Sequence, residues 1–346
     1  MNNLEQNYIA SYLFDDMIAK ALKISELSSM ARKEKRMRSY MNNKWNEVSA
    51  RAINKASSMV KNGKKSNAII EELNKIYNSW AAPVSKVVTQ ELKNVYRLGR
   101  DVGYKKATRT INSSLRYGTP KFEPVAKAKA SILPVYDLID YGAIEAIKEH
   151  QLYWIGSHYD ENVLATVVTT VKETVLEAGK NTALAGKLLQ ERLKEVSQNI
   201  SVPGGFNGTA KQYFEGFAAN VTTTSRVFSQ LRSFQEVGVT QYTIVNPGDN
   251  RTCPRCGHLE GKTFSVQDGL YQMDAIIAAK KPEDVKQIQP WMTAAQIMAI
   301  SSTPGYIAGK IGIKDSAALV KAGLALPPYH YKCRCTIDVD VTSLGK

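Results

Sequence analysis

A mainly α-helical chain with a helical, basic N-terminal region and a small α+β module near its C-terminal end is the fold class this sequence predicts. Three observations lead there. Residues 4–114 are dominated by good helix formers, with apolar side chains recurring at helical steps and few breaks. Two short β-branched or alternating stretches lie beyond residue 240. All four cysteines sit beside those two stretches, in tight pairs.

The elements follow in order. Leu4, Ile9, Tyr12, Leu13, Met17, Ile18 and Leu22 recur at three- to five-residue steps and predict an amphipathic helix from Leu4 to about Lys23. Helix is expected to continue to about Ser114, punctuated at Lys61-Asn62-Gly63 and at Ala82-Pro83. Gly118, Pro120, Pro124 and Pro134 then mark a linker, because each proline removes a donor and biases its predecessor toward extended backbone. Leu164, Val168, Val171 and Val175 mark one half-buried helix, and Leu184, Leu188, Leu193, Val196 and Ile200 a second. After the turn-rich Pro203–Gly208 stretch, Thr209 and Gln212 fit a capping box that opens a helix to about Gly238, with aromatic residues along one core-facing stripe. Gln241–Val245 and Thr336–Val341 read as strands, and Asp274–Ala279 and Glu283–Ile300 as helices between them.

Length and charge organise these elements. At 346 residues the chain exceeds the roughly 250–300 residues at which single cores stop growing, so two domains are expected: a basic helical region at 1–120 and a larger domain at 136–346, joined by a linker at 121–135. Hydrophobic residues at 43% and charged residues at 23% are ordinary for a folded chain and argue against wholesale disorder. No apolar run approaches the roughly 18 residues of a membrane span, and the N-terminus has no basic-then-apolar pattern, so no membrane association is expected. The net charge of +14 is uneven. Residues 1–120 carry 22 Lys/Arg against 10 Asp/Glu, whereas 121–346 are nearly balanced. The densest run holds Arg32, Lys33, Lys35, Arg36 and Arg38, and a polyanion is its natural partner, with a solvated helix face the plainer reading.

The cysteine pairs carry the chemistry. Cys253 and Cys256 have the C-x2-C spacing that lets a tight turn aim two thiolates at one tetrahedral ion, and His330, Cys333 and Cys335 add three candidates within six residues. Two tight pairs favour metal in a reducing compartment over a disulfide framework. Structural zinc is the expected ion, held by the four thiolates first and by His330 as the substitute, and stapling a module at 240–341. Catalysis at the metal is not expected. A saturated thiolate site activates water poorly, and the deaminase order H-x-E…P-C-x-x-C is absent because His258 and Glu260 follow the first cysteine pair.

Arg251-Thr252-Cys253-Pro254-Arg255-Cys256, then Leu259-Glu260-Gly261-Lys262-Thr263-Phe264, then Pro327-Pro328-Tyr329-His330-Tyr331-Lys332-Cys333-Arg334-Cys335 closely resemble, in that order, the phage head-morphogenesis family of Mu F-like minor head proteins. Thr224-Ser225-Arg226 and Val239–Tyr242 resemble the region ahead of that motif. The resemblance covers roughly 160–341, within the 136–346 domain, and the long insertion between the cysteine pairs departs from it. It implies a non-enzymatic minor capsid protein, present in few copies, that binds the phage portal protein and the capsid interior, with the major capsid or scaffold protein as neighbours. Contact with packaged double-stranded DNA is a further expectation for the basic arm. The implied location is the virion interior near the portal, reached from the host cytoplasm during assembly.

Two other classes compete. A zinc-containing nucleic-acid-binding protein outside the virion would bind free DNA with steep salt dependence. An enzyme would need a motif, and G-x-x-x-x-G-K-[ST], H-E-x-x-H and G-x-S-x-G are all absent. Of the four histidines, His150 and His158 flank Trp154 and read as ordinary interface or surface residues. Asp249 and Arg251 are expected to organise the turn before Cys253.

Overall fold

The computed structural model describes residues 3–116, 136–153, 161–178, 181–202, 206–248, 252–301 and 316–340. The linker prolines, His158 and Trp154, Asp249 and Arg251, and Val341 lie outside the described residues, as do the side chains of residues 3–25. Helices dominate: α1 (Asn3–Lys61), α2 (Ser66–Asn78), α3 (Ala81–Arg116), α4 (Leu138–Tyr153), α5 (Glu161–Ala178), α6 (Thr182–Gln198) and α7 (Ala210–Val237) precede a small α+β module. Between α6 and α7 lies a hairpin, β1 (Asn199–Val202) and β2 (Phe206–Thr209). The module contains β3 (Gln241–Val245), α8 (Pro254–Leu259), β4 (Thr263–Ser265), α9 (Val266–Ala278), α10 (Pro282–Ile288), α11 (Ala294–Ile300), α12 (Ser316–Lys321) and β5 (Thr336–Val339). Its sheet is antiparallel with order β4-β3-β5, and Tyr242 stands opposite both Phe264 and Val339.

Local chemistry accounts for the boundaries. α1 stops at Asn62-Gly63, where Gly63 takes φ +66 at no steric cost. The next break falls at Ser79-Trp80 and not at the expected Ala82-Pro83, because Pro83 lies in the first turn of α3, where its missing amide costs no helical hydrogen bond. Thr209 and Gln212 form the expected capping box, and Gly238 closes α7 with φ +83. The helix expected to reach Ile200 ends at Gln198, and Ile200 lies in β1, which pairs with β2 over Phe206–Thr209 where only a turn-rich break was expected. The single helix expected over Glu283–Ile300 is two, since Pro290 cannot donate and α11 restarts with its own capping box at Thr293 and Gln296.

α7 is the central element. Every residue from Gly216 to Phe234 is buried, so the aromatic stripe is only one of several covered faces. α1 and α3 pack on one side, and α9 and β5 on another. Several of its polar residues find partners on other elements. Gln230 donates to Glu26 at 2.8 Å and accepts from Thr336, Ser233 donates to the Arg100 carbonyl at 2.7 Å, and Arg232 reaches Asp137 at 2.9 Å. Arg100 is fully buried and pairs with the equally buried Asp140 at 3.3 Å, which also accepts from Tyr96 at 2.9 Å. An aromatic cluster of Trp45, Tyr77, Trp80 and Phe214 joins α1, α2 and the start of α3 to α7, and the Trp45 indole donates to the Ser197 carbonyl at 2.9 Å. One contiguous core therefore runs from Met37 to Val339. Core residues from Met37 to Ile111 share it with those from Ala143 to Val339.

α3 approaches α7 closely through two glycines. A Cβ on Gly103 would lie 2.8 Å from the Cα of Gln230, which is backbone and cannot swing aside. Gly103→Ala is expected to destabilise the fold by about 1–3 kcal/mol, read as a lower urea midpoint with an unchanged m-value; an unchanged midpoint would mean that the close approach is not required.

Candidate metal centre

Two loops supply the candidate ligands. Cys253 is the N-cap of α8, and its carbonyl accepts from the Gly257 amide at 3.0 Å, while that of Cys256 accepts from Glu260 at 3.0 Å. One helical turn thus sets both thiols toward the same point. Behind them, reciprocal bonds between Ile244 and the Gly261-Lys262 segment, both 2.9 Å, tie this knuckle to β3, with Gly261 at φ +73. The second loop turns at Lys332, φ 63, where the Cys333 amide donates to the His330 carbonyl at 3.1 Å, and it continues directly into β5.

α7 positions this second loop. Thr223 donates to the Cys333 carbonyl at 2.7 Å, and the Arg226 guanidinium donates to the carbonyls of Arg334 and Cys335 at 3.1 and 3.0 Å. The Tyr331 hydroxyl donates to the Tyr213 carbonyl, and its ring occupies the space beside Gly216 that a Cβ would fill. Lys332 pairs with Glu215 at 3.1 Å. Sequence spacing had not assigned Tyr331 and Gly216 to the site. The one signal was a glycine inside an otherwise aromatic helical run.

All five candidates come together. Cys253, Cys256 and His330 form one group, and Cys256, Cys333 and Cys335 a second, each with ligand atoms within 4.8 Å of one another. Cys256 belongs to both. His330 Nε2 lies 3.1 Å from Cys253 Sγ and 3.0 Å from Cys256 Sγ, and Cys256 Sγ lies 3.9 Å from Cys333 Sγ. Metal–sulfur bonds of about 2.3 Å give a tetrahedral S···S edge of about 3.8 Å, which the Cys256–Cys333 distance fits. The N···S distances are about half an ångström shorter than the corresponding edge of about 3.5 Å. His330 Nδ1 faces the Tyr331 carbonyl at 2.6 Å, which fixes the ring and leaves Nε2 facing the thiols. The four cysteines are free thiols, three buried and Cys253 half-buried.

The electrostatics suit a cation. Hydrogen bonding to Cys333 and Cys335, with burial, drives the Cys256 thiol far up, whereas hydrogen bonds from Cys256 and Cys335 hold Cys333 well below the usual thiol range. Burial pulls the His330 imidazole down, but the hydrogen bond and charge of Cys333, the Tyr331 carbonyl and the charge of Cys253 together outweigh this and raise it. A divalent ion would stabilise the remaining thiolates and release their protons, so acid competes with metal. These residues can hold a metal ion.

Other expected residues lie elsewhere. Glu260 Oε2 accepts from the Asn246 amide and so braces the knuckle, with His258 half-buried on α8. His150 bonds the Ala279 carbonyl at 3.0 Å, linking α4 to the end of α9. In the basic run, Arg36 and Lys33 approach Glu91 of α3 at 2.7 and 3.9 Å, and Arg38 approaches Glu215 at 3.4 Å. Arg32 bonds Ser29, and Lys35 is exposed. Three of the five cations thus face acids of the same chain. No helix among the described residues is long and apolar enough to cross a membrane. Compared with known proteins, the chain matches no family model, no curated protein and no solved structure.

Because Cys256 is common to both groups, Cys256→Ser is expected to drop bound metal from about one ion per chain to near zero, measured by elemental analysis of the purified protein. Cys335→Ser and His330→Asn, measured alongside, identify the spare donor as the one whose loss leaves metal content intact. Metal retained in full by Cys256→Ser would rule out the shared site.

Proposed function

We propose that this chain is a minor head protein of the phage head-morphogenesis type: a non-enzymatic virion component that binds the portal and the capsid interior during head assembly and touches packaged double-stranded DNA. The observation that carries the reading is convergence. The first and third of the stretches that bear the family resemblance, with Cys256 and Cys333 77 residues apart, meet at one Cys/His cluster, the middle stretch braces the first loop, and the Arg226 of the region ahead of them holds the second loop in place. Phe264 and Lys262, from the middle stretch, are buried beside β3.

Structural zinc is the proposed ion. Tetrahedral sulfur and imidazole donors in a buried, closed cluster are its usual setting, and a saturated site leaves no position for water. The ion would close a loop containing α9 to α12 at its base, which stabilises a small sheet of three short strands. A metal-fixed module suits a part that must keep its shape while docking on a portal. The major capsid or scaffold protein is the neighbouring partner proposed from the same resemblance.

Quantitative mass spectrometry of purified particles from the phage that encodes this chain tests the reading. A low, reproducible copy number relative to portal subunits is expected. Absence from both mature and immature heads would overturn it and favour a free zinc-containing nucleic-acid-binding protein.

A further inference from the structure

α3 carries eight Lys/Arg against Glu91 and Asp101, and packing divides the seven whose side chains are described into two sets. The inward set is neutralised. Arg100 pairs with Asp140 and Glu236, and Lys106 approaches Glu26 at 3.4 Å and Asp338 at 3.9 Å. Glu91, buried under α1, is taken by Lys33 and Arg36. The outward set is Lys86, Lys93, Arg97, Lys105 and Arg109, of which all but the half-buried Lys93 are exposed. Among the described residues no ion pair joins any of the five to an acid, and Asp101 is the one acid on their face.

Their spacing makes a ridge. Steps of four, seven and eight residues keep them on the solvent side of a helix whose buried stripe runs through Val84, Val88, Leu92, Val95, Gly99 and Gly103. Lys86 to Arg109 spans roughly 34 Å at 1.5 Å per residue, close to one turn of B-form duplex, about 34–36 Å. Arg32 and Lys35 of α1, each the residue before a cation that contacts Glu91, are exposed and extend the same charge onto the neighbouring helix.

We propose that this outer face of α3, and not the 32–38 run alone, is the surface that docks double-stranded nucleic acid, through its phosphates and without reading sequence. The choice of duplex DNA as occupant rests on the proposed function; the charge argument rests on the ridge. Long flexible cations without acidic partners match a regular anionic rod, where each neutralised phosphate releases counterions. Single strands are bound instead on rows of aromatic rings. The ridge has no such row. Tyr104 is half-buried, and Tyr136 is covered by the Arg97 guanidinium at 5.7 Å and donates its hydroxyl to the Arg97 carbonyl. Lysines and arginines along the outer face of a helix suit contact with phosphates, which positions a duplex without reading its bases.

The test compares the full-length protein with a quadruple variant, Lys86→Gln, Lys93→Gln, Lys105→Gln and Arg109→Gln, which leaves Arg97 on Tyr136 undisturbed. Affinity for a duplex of arbitrary sequence is measured by fluorescence anisotropy over a salt series, with equal helix content by circular dichroism as the folding control. The wild type is expected to bind duplex with steep salt dependence. The variant should lose on the order of a hundredfold in affinity at low salt, and its log K against log salt slope should flatten by about 0.9 per contact removed. Equal affinity and slope in the two proteins would overturn the assignment, as would loss confined to an Arg32→Gln, Lys35→Gln variant. Tighter binding of single strands or of polyglutamate than of duplex would overturn it as well. Because this measurement needs no particle, a chain absent from virions that still binds duplex through the ridge would refute the head-protein reading alone.

Discussion

Burial of α7 on every side is the constraint on which the rest of this structure depends. A helix with no solvent face must find a partner for each polar side chain, because an unsatisfied buried donor or acceptor costs about 1–3 kcal/mol. Ser233, Gln230, Arg226 and Arg232 all lie on this covered helix. Their partners come from far-separated parts of the chain: Glu26 on α1, Arg100 on α3, Asp137 ahead of α4, and the 333–336 segment. Placing α7 therefore places most other elements. Close approach is what makes this possible on the α3 side, where Gly99 and Gly103 let backbone meet Ser229 and Gln230.

The candidate metal centre is an extension of that spine. Its first loop is a self-contained knuckle hung from β3 and braced by Glu260, but its second loop has little regular structure and is oriented by Thr223, Arg226 and Tyr331 against α7. A metal ion and a buried helix would thus hold the same few residues from opposite sides. Tertiary support of this kind explains how the two cysteine pairs can stand so far apart in sequence and still meet, where a compact zinc ribbon spans a gap of roughly 15–20 residues.

Charge follows a similar division. A chain rich in Lys and Arg buries some of them, and those must be paired, since an isolated buried charge is far more costly than an exposed one. Arg100 and Lys106 meet that requirement on the inner side of α3, and Lys33, Arg36 and Arg38 bind α1 to its neighbours. Part of the basic run that stands out in the sequence is consequently intramolecular adhesive. Further cations without an acidic partner lie where the sequence shows no run, spread at helical intervals along the outside of α3.

By itself the sequence determined what depends on neighbours along the chain. Helical periodicity, the Thr209–Gln212 capping box, the Gly238 stop, the two strands beside the cysteines and the five candidate ligands were all legible, because caps, turns and C-x2-C knuckles are set within a few residues. What only the tertiary structure decided involves distance along the chain. The burial of α7 on all faces, the core shared by residues 37–111 and 143–339, the seating of Tyr331 on Gly216, and the partition of cations into paired and unpaired sets each arise from contacts between residues far apart along the chain. Pattern along one element reports which face is apolar and cannot report how many faces its neighbours will cover.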